Sequence, residues 1–241
     1  MGIIDVRNVV KSFEGHTVLN GVHLSVDKGT TTVILGKSGT GKSVLLKSVI
    51  GLMTPDSGSI IVDGQEIIGL PARRLDPLRR RMGYLFQGAA LYDSMTVRDN
   101  LALTLERNHP VSNEERDERI LETLRMVGLE NAIGKMPADL SGGMKKRIGL
   151  ARSLITNPEI MLYDEPTTGL DPITGREISN LIDSLQEQFH ATAIAVTHDM
   201  ACARIIADRV AILNDGTILR EGTLKSLERT GDEFVESFFQ T

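Results

Sequence analysis

At 241 residues, 41% of them hydrophobic and 24% charged, the chain can bury a large core, yet it holds no apolar run near the ~20 residues that a membrane span needs. Its net charge of −5 argues against the basic surface of a nucleic-acid binder, and a single cysteine, Cys202, excludes an internal disulfide. The opening residues from Met1 to Arg7 lack a cationic start followed by an apolar core, and Val6 occupies the Ser/Thr position of a myristoylation pattern. The expectation is a cytoplasmic protein whose membrane passage, if it takes part in one, belongs to a partner.

In chain order, residues 1–87 alternate strand-like runs with turns, at 3–9, 18–26, 31–35, 59–62 and 83–86. Much of this part is expected to form an antiparallel sheet beside a parallel nucleotide core. After the run 31–35 comes Gly36-Lys37-Ser38-Gly39-Thr40-Gly41-Lys42-Ser43, followed by a helical stretch over 43–50. The octapeptide fits G-x-x-x-x-G-K-[ST] in the strand, loop, helix order that phosphate binding requires. Its glycines let successive N–H groups turn onto phosphate oxygens, Lys42 neutralises charge, and the Ser43 hydroxyl can ligate Mg²⁺. A plain Gly/Ser loop accounts for none of that coupling.

Residues 88–158 read mainly as helices, at 96–106, 113–127 and 141–155, with Pro110, Pro137 and Pro158 as breakers. In the third helix Met144, Ile148, Leu150, Ala151 and Leu154 keep helical spacing, so Ser141 reads as its N-cap. An exposed Ser141-Gly142-Gly143 start is also an anion site, because unpaired N–H groups and the hydroxyl point the same way. One nucleotide can hardly use two phosphate cradles of one subunit, so the second cradle implies a second ATP. The basic runs Arg73-Arg74 with Arg79-Arg80-Arg81, and Lys145-Lys146-Arg147, read as solvated faces or partners of helix ends, ahead of a patch facing anionic headgroups.

Strand and helix then alternate through 160–163, 172–189, 192–196 and 200–207, with a hairpin at Asn214-Asp215-Gly216. The first run closes on Asp164 and Glu165, the pattern of a buried central strand with acids at its carboxyl end, where open α/β sheets bind ligands. Alone the pair reads as a strand followed by a solvated acidic turn; after a phosphate loop the preference reverses. Asp164 is expected in the Mg²⁺ shell, and Glu165, on the other side of an extended backbone, is expected to polarise the attacking water. Cys202 reads as a small buried helix residue. The tail over 233–240 reads as a short amphipathic helix with Phe234, Phe238 and Phe239 on one face, docked on its own domain.

With these motifs in this order across essentially the whole chain, the protein resembles the ATPase subunit of ATP-binding-cassette (ABC) transporters. The resemblance implies an α/β fold: a P-loop NTPase (RecA-like) core with an antiparallel β subdomain, residues 1–87 and 159–241, and an inserted all-helical signature subdomain, residues 88–158. It implies ATP and Mg²⁺ as cofactors, hydrolysis to ADP and phosphate, and a head-to-tail homodimer. Phe13 is then the aromatic on adenine. Gln87 reaches Mg²⁺ and the water while sensing the membrane partner. Asp171, in Thr168-Gly169-Leu170-Asp171, touches the other subunit's site, and His198 contacts the γ-phosphate. Singly, these four have plainer readings: an apolar strand residue, a surface residue, a turn opening a helix, and a satisfied strand-end hydrogen-bonder. The family pattern assigns Ser43, Gln87 and Asp164 to the metal, and Glu165, His198, Gln87 and Lys42 to catalysis. ATP falls between Phe13 with the residues from Gly36 to Ser43 on one side and Ser141, Gly142, Gly143 and Asp171 on the other.

Met144 departs from the commonest signature, which has Gln there. With Lys145-Lys146-Arg147 and the segments 86–97 and 164–174, it resembles the lipid-handling branch that serves Mla and Mce systems. That branch implies an integral-membrane permease, a lipid-binding Mce-type partner, no nucleic acid, and a position at the cytoplasmic face of the inner membrane. A small-solute importer ATPase would share every catalytic residue. A non-transport ABC ATPase of DNA repair would carry a long coiled coil, and no heptad run of that length occurs here. A P-loop kinase or GTPase would explain Lys42 and Asp164 but leave Ser141-Gly142-Gly143 without a role.

Overall fold

The computed structural model describes residues 2–108, 111–232, 235–236 and 238–239. Pro110 and Phe234, both singled out in the sequence, lie outside them. The elements run β1 (Ile4–Phe13), β2 (His16–Val26), β3 (Thr31–Leu35), α1 (Lys42–Val49), β4 (Ser57–Val62), β5 (Gln65–Glu66), α2 (Ala72–Arg79) and β6 (Met82–Leu85). After them come α3 (Val97–Asn108), α4 (Asn113–Met126), α5 (Gly142–Leu154), β7 (Ile160–Asp164), α6 (Pro172–Phe189), β8 (Thr192–Thr197), α7 (Met200–Ile206), β9 (Arg209–Asn214), β10 (Thr217–Gly222) and α8 (Leu224–Leu227).

Two sheets result. One is antiparallel, in the order β2-β1-β4-β5; the other runs β10-β9-β3-β8-β7-β6, parallel except at the β9/β10 hairpin. Each parallel strand is buried along nearly its whole length, as its unbroken apolar run predicts. Ile34 faces a core shared with the antiparallel sheet, while Val33 and Leu35 face a second core built with α6 and α7. Helices α3, α4 and α5 bury a third core, and α5 belongs to two of them: Ile148 and Ala151 face α3 and α4, Leu150 and Leu154 face the sheet.

The parallel arrangement explains why distant motifs meet. β3, β6, β7 and β8 all end at the same edge, in register through Leu35 with Thr197, Leu85 with Tyr163, and Asp164 with Val196. That edge therefore receives the Gly36 loop, Gln87, Glu165 and His198 together. The hairpin at Asp215-Gly216 has φ of 44° and 74°, as an Asp-Gly type I′ turn requires. Cys202 is buried on α7, and the described tail residues Val235, Phe238 and Phe239 lie against the α6/α7 core.

Three expectations change. First, β7 stops at Asp164: Glu165 has φ +49°, so the backbone turns left-handed there and is not extended. Second, the run Arg73 to Arg81 contains a helix, α2, that Pro77 hid. Arg79 keeps the expected helix-end role, donating to Ile50 O at 3.1 Å and Gly51 O at 2.6 Å at the end of α1, and Arg81, past α2, pairs with Asp63 and Glu159. Third, Lys146 is not on a solvated face; only 5% of it is exposed.

Candidate functional site

Helix α1 opens directly at Lys42, with Gly41 at its N-cap and no side chain bonded to its first turn. Its leading N–H groups are thus presented to a ligand, with the helix dipole behind them. Gly41 has φ +97°, and a Cβ there would lie 2.8 Å from Val18 O. Gly39 has φ +84° with nothing within 4 Å of a Cβ, so backbone conformation alone calls for glycine. Gly41→Ala is expected to weaken Mg-ATP binding at least about 10-fold, through both strain and the Val18 clash. Titration with a fluorescent nucleotide checks this, and unchanged affinity would contradict it.

Lys42 is 5% exposed. Its Nζ donates to Gly36 O at 2.8 Å and Lys37 O at 3.0 Å, and lies 3.1 Å from Glu165 Oε1. The Ser43 hydroxyl donates to Asp164 Oδ1 at 2.6 Å, and the buried Tyr84 hydroxyl donates to Asp164 Oδ2 at 3.0 Å. Burial, with the Asp164 charge beside it, pushes the Tyr84 phenol well above its usual range, which keeps it a donor. Glu165 is 6% exposed, and its Oε2 takes His198 Nδ1 at 2.8 Å and the Thr168 hydroxyl at 3.1 Å. An open cavity of about 250 Å³ is lined by Val18, Ser38, Gly39, Gly41, Lys42, Ser43, Val44, Gln87 and Glu165, while His198 and Thr168 face a separate one with Gly169 and Leu170.

The donor chemistry fits Mg²⁺. Ser43 and Asp164 supply two hard oxygens, and among the described residues no group of three or more His, Cys, Asp or Glu forms a metal cage. Mg²⁺ uses one or two protein oxygens, with phosphates and waters completing its octahedron.

The remaining expected site residues lie elsewhere. Ser141 caps α5, its Oγ accepting from Met144 N at 3.3 Å, and Gly142 and Gly143 abut Leu170 and Thr174. Asp171 caps α6, accepting from Ile173 N, Thr174 N and the Thr174 hydroxyl; that hydroxyl above all holds its carboxyl below the usual range. These four residues form a second group, and none of them lines the Lys42 cavity. Phe13 sits at the end of β1, 41% exposed, with the Lys11 ammonium 5.3 Å from its ring centroid.

Residues 19–168 match the sequence profile of a family described as ABC transporter. The chain belongs to the ABC transporter family. It is 40% identical over 239 residues to the probable ribonucleotide transport ATP-binding protein mkl of Mycobacterium leprae, covering 99% of this chain and 69% of that protein. To the methionine import ATP-binding protein MetN of Caulobacter vibrioides it is 41% identical over 228 residues, 93% of this chain and 68% of that one. A solved dimeric ATP-binding cassette in a post-hydrolysis state with ADP and Pi superposes with TM-score 0.85 at 35% identity, over 92% of this chain and 98% of that one. The fold is the P-loop NTPase core, and this ABC protein is an ATPase that uses ATP with Mg²⁺.

Two residues of the ATPase site escaped sequence reasoning. Tyr84 lies within the strand-like run 83–86, and its hydroxyl contact depends on β6 lying next to β7. Lys146 donates to Gln87 O at 2.5 Å and Glu165 O at 3.0 Å, and burial pushes its ammonium down to about 8 against the pull of Asp164 and Glu165. A signal for Lys146 was present. It stands four residues before Leu150, on the inward face of α5, and treating three basic residues as one run obscured that spacing.

Proposed function

We propose that this ATPase acts as a head-to-tail homodimer beneath a membrane permease, at the cytoplasmic face, and that its cargo is phospholipid delivered with an Mce-type lipid-binding partner. One observation carries the dimer. The anion-binding helix start at Ser141 to Gly143 abuts Leu170 and Thr174, outside the cavity that holds Lys42 and Glu165. A second copy, turned about, would bring its Ser141 end to the first copy's phosphate loop. The similar solved cassette with ADP and Pi is itself dimeric, which supports a homodimer.

In this reading the loop from Gly36 to Ser43 and α1 bind the phosphates, and Phe13 stacks on adenine. Ser43, Asp164 and Gln87 would hold Mg²⁺, which would supply charge neutralisation of the phosphates when bound. Lys42 steadies the γ-phosphate, Glu165 takes the proton of the attacking water, and His198 contacts the γ-phosphate while orienting Glu165 through Oε2. Ser141, Gly142, Gly143 and Asp171 of the second copy close the site. The resemblance of residues 1–87 and 159–241 to the core, and of 88–158 to the signature subdomain, divides these tasks between two pieces of one chain.

The permease handle is the segment around Tyr92. A groove of about 410 Å³ beside it is lined by Tyr84, Phe86, Ala90, Tyr92, Thr104 and Arg152 among others, and Tyr92 is 45% exposed. An exposed aromatic in an amphipathic groove suits a short helix from a membrane partner. Tyr92→Ala is expected to abolish stimulated transport in reconstituted vesicles while basal hydrolysis stays within about twofold. Equal loss of both would overturn the assignment.

Phospholipid is favoured over small solutes by the resemblance of Met144, Lys145-Lys146-Arg147 and the segments 86–97 and 164–174 to the lipid-handling branch. An amino-acid importer is the second reading, supported by the 41% identity to MetN. Purification from native membranes in mild detergent separates them. A permease with a single-span lipid-binding protein and bound phospholipid supports the first, and a permease with a solute-binding protein supports the second.

A further inference from the structure

The backbone between Gln87 and Ala90 is strained, and a single helix grips it. Ala89 and Ala90 have φ of +60° and +49°, left-handed conformations that cost L-residues on the order of 1 kcal/mol each. Helix α5 meets this loop along one line of residues at i, i+3 and i+6. Lys146 Nζ donates to Gln87 O at 2.5 Å. At Gly149 a Cβ would come within 2.9 Å of Ala89 Cβ, so the missing side chain is what lets the loop approach. Arg152 donates to Ala89 O at 2.9 Å and Ala90 O at 2.7 Å.

Lys146 does one thing more. Its ammonium also donates to Glu165 O at 3.0 Å, so one buried cation joins the backbone of Gln87 to that of Glu165. Glu165 itself sits at φ +49°, a turn whose carbonyl direction the Lys146 bond helps to hold. Lys146 lies just over one helical turn from Ser141, the N-cap of the same helix.

We propose that Lys146 is a positioning residue for hydrolysis. Through two backbone carbonyls it sets where the Glu165 and Gln87 side chains project, and it makes a displacement at the Ser141 end of α5 move both. Contact of that helix start with a second copy's nucleotide is thereby tied to the water-handling groups of its own subunit. The inference rests on the assignment of Glu165 to the attacking water.

The test is steady-state and single-turnover hydrolysis by Lys146→Met, Lys146→Gln and Lys146→Arg. Misplacement of a catalytic group by about 1 Å costs on the order of 100-fold, so Lys146→Met is expected to lower kcat 10- to 100-fold. KM for ATP and affinity for a fluorescent nucleotide should stay within about threefold, because the phosphate loop is untouched. Lys146→Arg, able to donate to both carbonyls, should recover most of kcat, and Lys146→Gln should fall between. A merely structural residue would lower the folded fraction and leave kcat per nucleotide-binding molecule unchanged. That result, or failure of arginine to rescue, overturns the proposal. Should Lys146→Met not fold, wild-type kcat in Lys146→Gln overturns it equally. Glu165→Gln measured alongside keeps the two questions apart: full activity there would remove the assignment of Glu165, whatever the Lys146 variants do.

Discussion

Glu165→Gln is expected to lose about a thousandfold in turnover while still binding Mg-ATP, and to run as a stable dimer in light scattering as long as ATP is present. The amide has the volume of the carboxylate and can still take the Thr168 hydroxyl, so the site should keep its shape. Two things go. The group no longer accepts the proton of the attacking water, and its ion pair with Lys42 at 3.1 Å disappears. The second loss favours nucleotide, since a carboxylate no longer competes with phosphate for the Lys42 ammonium. Bound ATP that cannot be hydrolysed then holds the two copies together, and ADP should release them to monomers. A monomer at saturating Mg-ATP would overturn the head-to-tail arrangement, and wild-type turnover would overturn the role of Glu165.

How much of this could be read from residues alone depended on whether a motif carries its own geometry. The loop from Gly36 to Ser43 does, because a glycine at φ +97°, Gly41, and a helix opening at Lys42 are built into the pattern. The strand 160–163 closing on two acids was legible for a similar reason: an unbroken apolar run has one stable place, the centre of a sheet. The joining of these pieces was not legible. Tyr84 reaches Asp164 only because β6 pairs with β7, a contact between residues 80 positions apart. The left-handed turn at Glu165 leaves no mark in residue type, since glutamate has no preference for it. Helix α2 was hidden by Pro77, although its two buried residues, Leu75 and Leu78, keep a three-residue spacing. β1 runs on to Phe13 through bulges that alternation alone does not foresee.

Lys42→Ala should be the most damaging single change to nucleotide binding, weakening Mg-ATP by about 100-fold, with hydrolysis falling at least as far. Charge neutralisation at the phosphates is part of the reason, and the structure adds another. Lys42 satisfies Gly36 O and Lys37 O and faces Glu165 Oε1, and both side chains are nearly buried. Removing the amine strands a carboxylate whose remaining partners include the Thr168 hydroxyl and the half-exposed His198 ring. A buried ion pair broken on one side is destabilising because the surviving charge is uncompensated. Lys42→Ala should therefore unfold at lower urea, and adding Glu165→Gln should recover part of that loss, with a coupling of about 1–3 kcal/mol between the two sites. Nucleotide affinity should not recover in the double variant, since the phosphates still lack the amine. Additive effects on stability would show that the Lys42 and Glu165 contact carries no net energy.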